Sequence, residues 1–181
     1  MNANSSTMNN MKILITGPSG CGKSTIALEL KHMGYRVVDA DIELSAFHDR
    51  KTGMPVEHLK HDGSTDWHDR YAWAWQKNLM EDLLKPTTGE NIFVCGSSAN
   101  MSEYFHLFDK IFLLKIDSET TAKRILSRKN NNFGKRPGEL KMVLEELDDY
   151  QKMILDANAI SIDGSLPPTI IAETILDEVR D

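Results

Sequence analysis

The nine residues GPSGCGKST at 17–25 constrain this chain more than any other stretch. They match G-x-x-x-x-G-K-[ST] and follow directly on a short β-rich run, KILIT, at 12–16. Gly17, Gly20 and Gly22 let the backbone fold tightly where any Cβ would intrude. The N–H groups then point inward, and the helix that follows presents its positive end to an anion. Such a loop needs a strand before it and a helix after it, so an α/β architecture is expected before any other residue is read.

The rest of the chain agrees with that expectation. Short apolar runs at 12–16, 36–40, 91–96, 110–117 and 159–163 read as strands. Helical patterns lie at 24–33, 118–129, 137–157 and 168–179. Apolar strands alternating with helices predict a parallel sheet covered on both faces. With 181 residues, 40% hydrophobic and 27% charged, the chain suits one soluble domain with a sizeable core. A single domain is expected over 11–181, after a frayed polar tail at 1–10 that lacks the features of a secretion signal. The net charge of −6 argues against a nucleic-acid-coating protein, and no apolar run is long enough to span a bilayer. Cys21 and Cys95 are too few for a disulfide framework, which suggests a reduced, cytoplasmic protein.

Residues 41–90 show no clear strand and read as a helical excursion. In DWHDRYAWAWQKNLMEDLL, Trp67, Tyr71, Trp75, Leu79 and Leu83 recur every four residues, predicting a helix packed on the core.

Within the loop, Lys23 supplies a mobile cation for the β- and γ-phosphates and the Ser24 hydroxyl can ligate Mg²⁺. ATP and Mg²⁺ are therefore the expected ligands, with Pro18, Ser19, Cys21 and Thr25 completing the nucleotide-holding stretch. Two absences favour transfer of the phosphate over hydrolysis. The third strand ends Val94-Cys95-Gly96-Ser97-Ser98, without the acidic pair a motor-type ATPase uses, and no guanine-reading Asn-Lys-x-Asp occurs. Asp39 and Asp41, directly after the second strand, add a positive sign. Loops at the carboxyl ends of such strands converge on the ligand crevice, where one carboxylate can hold Mg²⁺ and the other accept a hydroxyl proton. The plainer reading of the pair is capping of the next helix.

The stretch ITGPSGCGKSTIALEL, followed by GYRVVDADIE, resembles the start of the shikimate kinase and gluconate kinase group. That group lies within the nucleoside- and nucleotide-kinase family of P-loop enzymes. The chain is also similar to small bacterial P-loop kinase-like proteins labelled only as ATP-binding. The resemblance implies a three-layer fold whose five-stranded parallel sheet has the order 2-3-1-4-5. It puts Asp39 on the metal side and Asp41 on the acceptor side. SETTAKRILSRKNNNFGKRP resembles the family's basic helix and lid, here 124–137, implying that Arg124, Arg128 and either Lys135 or Arg136 approach phosphates or stack on adenine. AISIDGSLPPTIIAETIL resembles the last strand, adenine-edge loop and terminal helix. The chain departs from shikimate kinases in carrying Gly96-Ser97-Ser98 where they have a glycine triplet, and in its tryptophan-rich excursion.

Arg124 and Arg128, four apart, would share a helix face and could neutralise charge on a moving phosphoryl group; a solvated basic helix end is the alternative. His48, His58, His61 and His68 lack a recognised metal-ligand spacing and read as surface residues. Arg70 is a candidate grip for an anionic acceptor, or simply a solvent-facing arginine. Cys21 and Cys95 read as small residues filling tight space. The expected activity is Mg²⁺-dependent transfer of the ATP γ-phosphate to a small-molecule acceptor, with Lys23, Asp41 and Arg128 catalytic. A nucleoside or nucleotide kinase is the alternative enzyme, and an ATP-binding regulator without catalysis the alternative of another class. No nucleic-acid or membrane partner is expected.

Overall fold

Strand β1 (Lys12–Thr16) lies at the centre of the molecule, with Ile13, Leu14 and Ile15 completely buried. A computed structural model describes residues 10–57, 59–60, 66–85 and 89–180. In it β1 pairs in parallel with β5 (Ile92–Cys95) on one side and β6 (Lys110–Lys115) on the other. β2 (Arg36–Asp39) extends the sheet beyond β5, and β7 (Ile160–Asp163) extends it beyond β6. The order is β2-β5-β1-β6-β7. Counted within this sheet alone, that is the expected 2-3-1-4-5.

Because successive side chains on a strand point to opposite faces, β1 feeds two cores. Ile13 and Ile15 join Phe93, Phe112 and Leu114 beneath α1 (Lys23–His32) and α8 (Pro168–Arg180), which contribute Ile26, Leu30, Ile171 and Ile175. Leu14, Val94 and Leu113 face the other way, toward Trp75, Met80, Met101, Tyr104 and Ile154. A sheet buried on both faces explains the near-continuous apolar strands. No helix among the described residues is long and apolar enough to cross a membrane.

The excursion departs from expectation. After the short α2 (Ala40–Glu43), β3 (Ser45–Asp49) pairs antiparallel with β4 (Tyr71–Trp75), in a register that sets Phe47 opposite Trp73. The predicted aromatic helix is instead α3 (Trp67–Arg70), then β4, then α4 (Lys77–Leu83). The physical reason lies in YAWAW. A spacing of four is also a multiple of two, so Tyr71 and Trp75 fit either period. Trp73 completes a strict alternation with Ala72 and Ala74, and aromatics favour a pleated surface.

β4 then docks on the loop after β5. Ala99 N–H donates to the Trp73 carbonyl (2.8 Å), while the Asn100 side chain accepts from Trp75 N–H (2.9 Å) and donates to its carbonyl (3.0 Å). A 3-10 helix, Met101–Leu107, follows. Beyond β6, α5 (Ser118–Ser127) is capped by Asp117, whose carboxylate accepts from Thr120 N–H at 2.7 Å. The single helix expected over 137–157 is two, α6 (Glu139–Glu145) and α7 (Leu147–Asp156). Glu145, Glu146, Asp148 and Asp149 are unfavourable at a helix C-terminus and favourable at an N-terminus, so a new helix starts among them.

Candidate active site

The loop between β1 and α1 has the backbone that its glycines suggested. Gly17, Gly20 and Gly22 all have positive φ, and a Cβ on Gly17 would lie 2.7 Å from the Leu114 carbonyl oxygen and 2.8 Å from Cys21 Sγ. No side chain caps the start of α1, so its first turn opens onto the cradle. Pro18 is buried, Ser19 half-buried, and Ser24 and Thr25 are exposed at the mouth.

Lys23 is buried and turned back onto its own loop. Its ammonium donates to the carbonyls of Gly17 (2.7 Å) and Pro18 (3.1 Å) and lies 3.8 Å from Cys21 Sγ. Burial disfavours the charged form, but the surrounding Cys21, Asp41 and Tyr150 outweigh it and raise the lysine pKa. A charged lysine resting on two neutral carbonyls is held where an anionic phosphate could take it over.

The two aspartates sit as expected at the end of β2, where the capping reading of the pair is seen directly. Asp39 caps α2, accepting from Asp41 N–H at 3.2 Å. Burial and then the neighbouring Asp41 charge raise the Asp39 pKa, the environment of a carboxylate that gains from a cation beside it. Asp41 Oδ1 accepts from Ser97 N–H at 3.2 Å, bridging the ends of β2 and β5. This approach is possible because position 96 is glycine: a Cβ there would stand 2.7 Å from Ala40 Cβ and 3.2 Å from Asp41 Oδ1. Cys95, which ends β5 beside β1, is fully buried, and burial keeps its thiol protonated.

Arg124 stitches the loop to the far end of the sheet. One guanidinium nitrogen donates to the carbonyls of Gly20 (3.3 Å), Cys21 (3.3 Å) and Gly164 (2.9 Å). A pocket of about 200 Å³ opens beside it, lined by Gly22, Thr25, Gly164, Leu166 and Pro168 among others. It joins the phosphate loop to the segment expected to edge an adenine. A separate cleft between Lys12, Lys85, Glu90 and Asp109 lies at the amino ends of the strands and includes none of these residues.

Arg128 lies just past the helix. α5 stops at Ser127 and Arg128 is extended (φ −64°, ψ 149°), so it does not share a helical face with Arg124. Its guanidinium donates to the Phe133 carbonyl at 2.5 Å, inside the loop joining α5 to α6, and burial lowers its pKa. Lys135 is bonded to the Arg128 carbonyl, and Arg136 pairs with Glu139 (3.0 Å). Arg70 pairs with Asp66 (3.8 Å) and stands over the Tyr71 ring.

His48 lies half-buried with Nδ1 3.1 Å from the Gly53 carbonyl; His58 and His61 fall outside the described residues. His68 is not a surface histidine, being paired with Glu139 at 3.2 Å. Among the described residues no group of three or more His, Cys, Asp or Glu could hold a metal.

Two residues at this site carried no signal in the sequence. Glu139 is 3% exposed and accepts from Gly134 N–H (2.8 Å), Arg136 N–H (3.2 Å), Arg136 Nη1 (3.0 Å) and His68. Burial works to raise its pKa, but the hydrogen bonds, led by Arg136, His68 and Gly134, outweigh it and lower the value. Glu139 thereby gathers the 128–138 loop and ties it to α3. Tyr150, in the first turn of α7, reaches the Gly17 carbonyl (3.3 Å) and Met101 Sδ (3.6 Å). A lone Glu or Tyr on a helix has no spacing that predicts such contacts.

A family described as "AAA domain" matches residues 13–151, which include the phosphate loop, both aspartates and Tyr150. The chain belongs to this family. It is 26% identical to a dephospho-CoA kinase of Streptococcus pyogenes serotype M3, over 82% of this chain and 89% of that one. A shikimate kinase from Acinetobacter baumannii in complex with shikimate superposes with a TM-score of 0.64 at 18% identity, covering 96% of this chain and 94% of that one. A deoxyadenosine kinase from M. mycoides with bound dATP gives 0.57 at 18% identity, over 94% and 100%. The fold is thus that of the P-loop kinases, as the resemblance implied.

Proposed function

We propose that this chain is an ATP- and Mg²⁺-dependent phosphotransferase that moves the γ-phosphate to a hydroxyl of a small-molecule acceptor. The observation that carries the reading is the placement of Asp41. Its carboxylate is held by the Ser97 backbone across the ends of β2 and β5, in the same electrostatic cluster as Lys23. A motor-type ATPase would set an acid at the end of β5, where this chain has Cys95 and Gly96.

The residues present fit both ligands. The glycine cradle, the buried Lys23 and the adjoining pocket suit the phosphates and base of ATP. The exposed Ser24 hydroxyl and the Asp39 carboxylate would hold Mg²⁺, directly or through water. Bound MgATP supplies an activated phosphoryl group with part of its charge neutralised. The chain then performs the rest. Lys23 leaves its carbonyls to hold the β- and γ-oxygens, and Arg124 keeps the loop and the 164–168 segment together around the nucleotide. Asp41 accepts the acceptor's hydroxyl proton as the new P–O bond forms and the bond to ADP breaks. The 128–138 loop would act as the lid that excludes water. The two free, buried cysteines suit a reducing cytoplasmic setting.

A second reading concerns the acceptor. Phe47 lies 4.7 Å, centroid to centroid, from both Trp67 and Trp73, and Tyr71 adds a further ring. This aromatic hairpin, docked on the loop that holds Asp41, favours an acceptor bearing a planar base, as in a nucleoside or nucleotide kinase. A panel containing dephospho-CoA, deoxyadenosine, shikimate and gluconate, scored for phosphorylated product, tests both readings. Asp41→Asn should abolish product formation while leaving MgATP affinity within about twofold, since the carboxylate is on the acceptor side. Equal loss of both, or tight ATP binding with no product from any acceptor, would contradict the assignment and favour a regulator.

A further inference from the structure

We infer that Tyr150 is a positioning residue that lets Lys23 leave the loop: its hydroxyl takes over the buried Gly17 carbonyl when the ammonium moves to phosphate. The inference rests on the reading of residues 17–25 as the ATP loop and is independent of the acceptor.

The geometry is a shared acceptor. Gly17 O receives Lys23 Nζ at 2.7 Å and Tyr150 Oη at 3.3 Å, so two donors from opposite ends of the chain meet on one carbonyl. Gly17 and Thr16 are buried, and Met101, 1% exposed, closes the other side of the hydroxyl at 3.6 Å. Water therefore has poor access to this carbonyl. A buried carbonyl left without a donor carries a real penalty, larger than the net gain from making an ordinary hydrogen bond.

Lys23 cannot grip phosphate oxygens and keep both of its loop carbonyls. Without Tyr150, the Gly17 carbonyl would be satisfied in the empty loop and orphaned in the loaded one, and the difference would weaken nucleotide binding. With Tyr150 the carbonyl is paired in both states. Burial also pushes the Tyr150 hydroxyl above its ordinary range, against the opposing pull of Lys23, Thr16 and Ser97, so it stays protonated and able to donate. Of its neighbours, Met101 has no donor to offer, and the Thr16 hydroxyl is engaged with Met101 Sδ (3.5 Å) and with the Tyr150 hydroxyl itself.

The test is a double-mutant cycle read by equilibrium binding of MgAMPPNP to the full chain, with no acceptor present. Tyr150→Phe should weaken binding about 5- to 150-fold in the wild-type background, the range expected for one orphaned carbonyl. In a Lys23→Ala background the same change should alter affinity by less than about twofold, because no ammonium then moves. Equal loss in both backgrounds would show a merely structural tyrosine and overturn the inference, as would no loss in either. Should Tyr150→Phe not fold, judged by circular dichroism, two ring-preserving replacements keep the question open to measurement. 4-Aminophenylalanine at position 150 retains a donor and should bind like wild type, whereas 4-fluorophenylalanine fills the space without donating and should show the loss. Identical affinities for those two would also overturn it. Failure of wild-type protein to bind MgAMPPNP would overturn this inference together with the ATP-site reading, whereas binding without a Tyr150 effect removes only the former.

Discussion

Replacing Gly96 by alanine should disable transfer while sparing the nucleotide site. A Cβ at position 96 would lie 2.7 Å from Ala40 Cβ and 3.2 Å from Asp41 Oδ1. The carbon contact is about 1 Å shorter than a comfortable one. Gly96 cannot retreat easily, because its N–H is bonded to the Ile15 carbonyl of the central strand at 3.1 Å. The start of α2 must move instead, taking Asp41 with it and stretching its bond to Ser97 N–H. A displacement of about 1 Å at a reacting group costs on the order of 10²-fold in rate, and overpacking costs about 1–3 kcal/mol of stability. Steady-state kinetics with the acceptor found in the panel, MgATP affinity by calorimetry and a thermal melt separate these effects. The expected outcome is kcat down roughly 100-fold, MgATP affinity within about twofold and a modestly lower Tm. A variant with wild-type kcat, or one losing ATP affinity as fully as rate, would refute the argument that close packing of Gly96 on Ala40 sets the Asp41 carboxylate.

Two further substitutions probe the donor side and the loop. Arg124→Ala removes three bonds to backbone carbonyls of the cradle and of Gly164, and should raise the ATP KM roughly 10-fold or more with a smaller change in kcat; an unchanged KM would remove Arg124 from the nucleotide site. Glu139→Gln should lower Tm at neutral pH and flatten the acid limb of the stability profile. The sign follows from a folded-state pKa held below the ordinary 4.5: the wild-type contribution is complete above that value and is lost as pH falls through the lower, folded one. Parallel acid limbs for wild type and variant would contradict this, and limited proteolysis within 128–138 should quicken in the variant.

The parts of this protein that could be read from the chain alone are those whose chemistry is local. Wrapping a phosphate demands glycines, a lysine and a hydroxyl within nine consecutive residues, so 17–25 announced both ligand and fold class. Asp39 and Asp41 were legible because a strand end fixes where its loop opens. The three inner strands were legible because burial on both faces leaves a near-unbroken apolar run, while the edge strands β2 and β7 keep a shorter apolar signal among polar residues. Where a pattern satisfied two periods at once, as in the Trp67–Tyr71–Trp75 series, the residues did not decide between helix and strand. Pairing of β3 with β4 did.

Long-range contacts decided the remainder. Arg128 looked equivalent to Arg124 by spacing, but α5 ends one residue before it, and the two guanidiniums serve different carbonyls. Glu139 meets His68 across 71 positions of chain, Asn100 clasps Trp75 across 25, and Tyr150 reaches Gly17 across 133. Nothing in the neighbourhood of any of these residues marks its partner. The P-loop character of this chain was readable from nine consecutive residues, because a phosphate cradle is built from adjacent backbone amides. Tertiary structure alone decided how Lys23 is parked, how Asp41 is aimed and which loop Arg128 serves, because those depend on carbonyls and amides brought together only when distant segments pack.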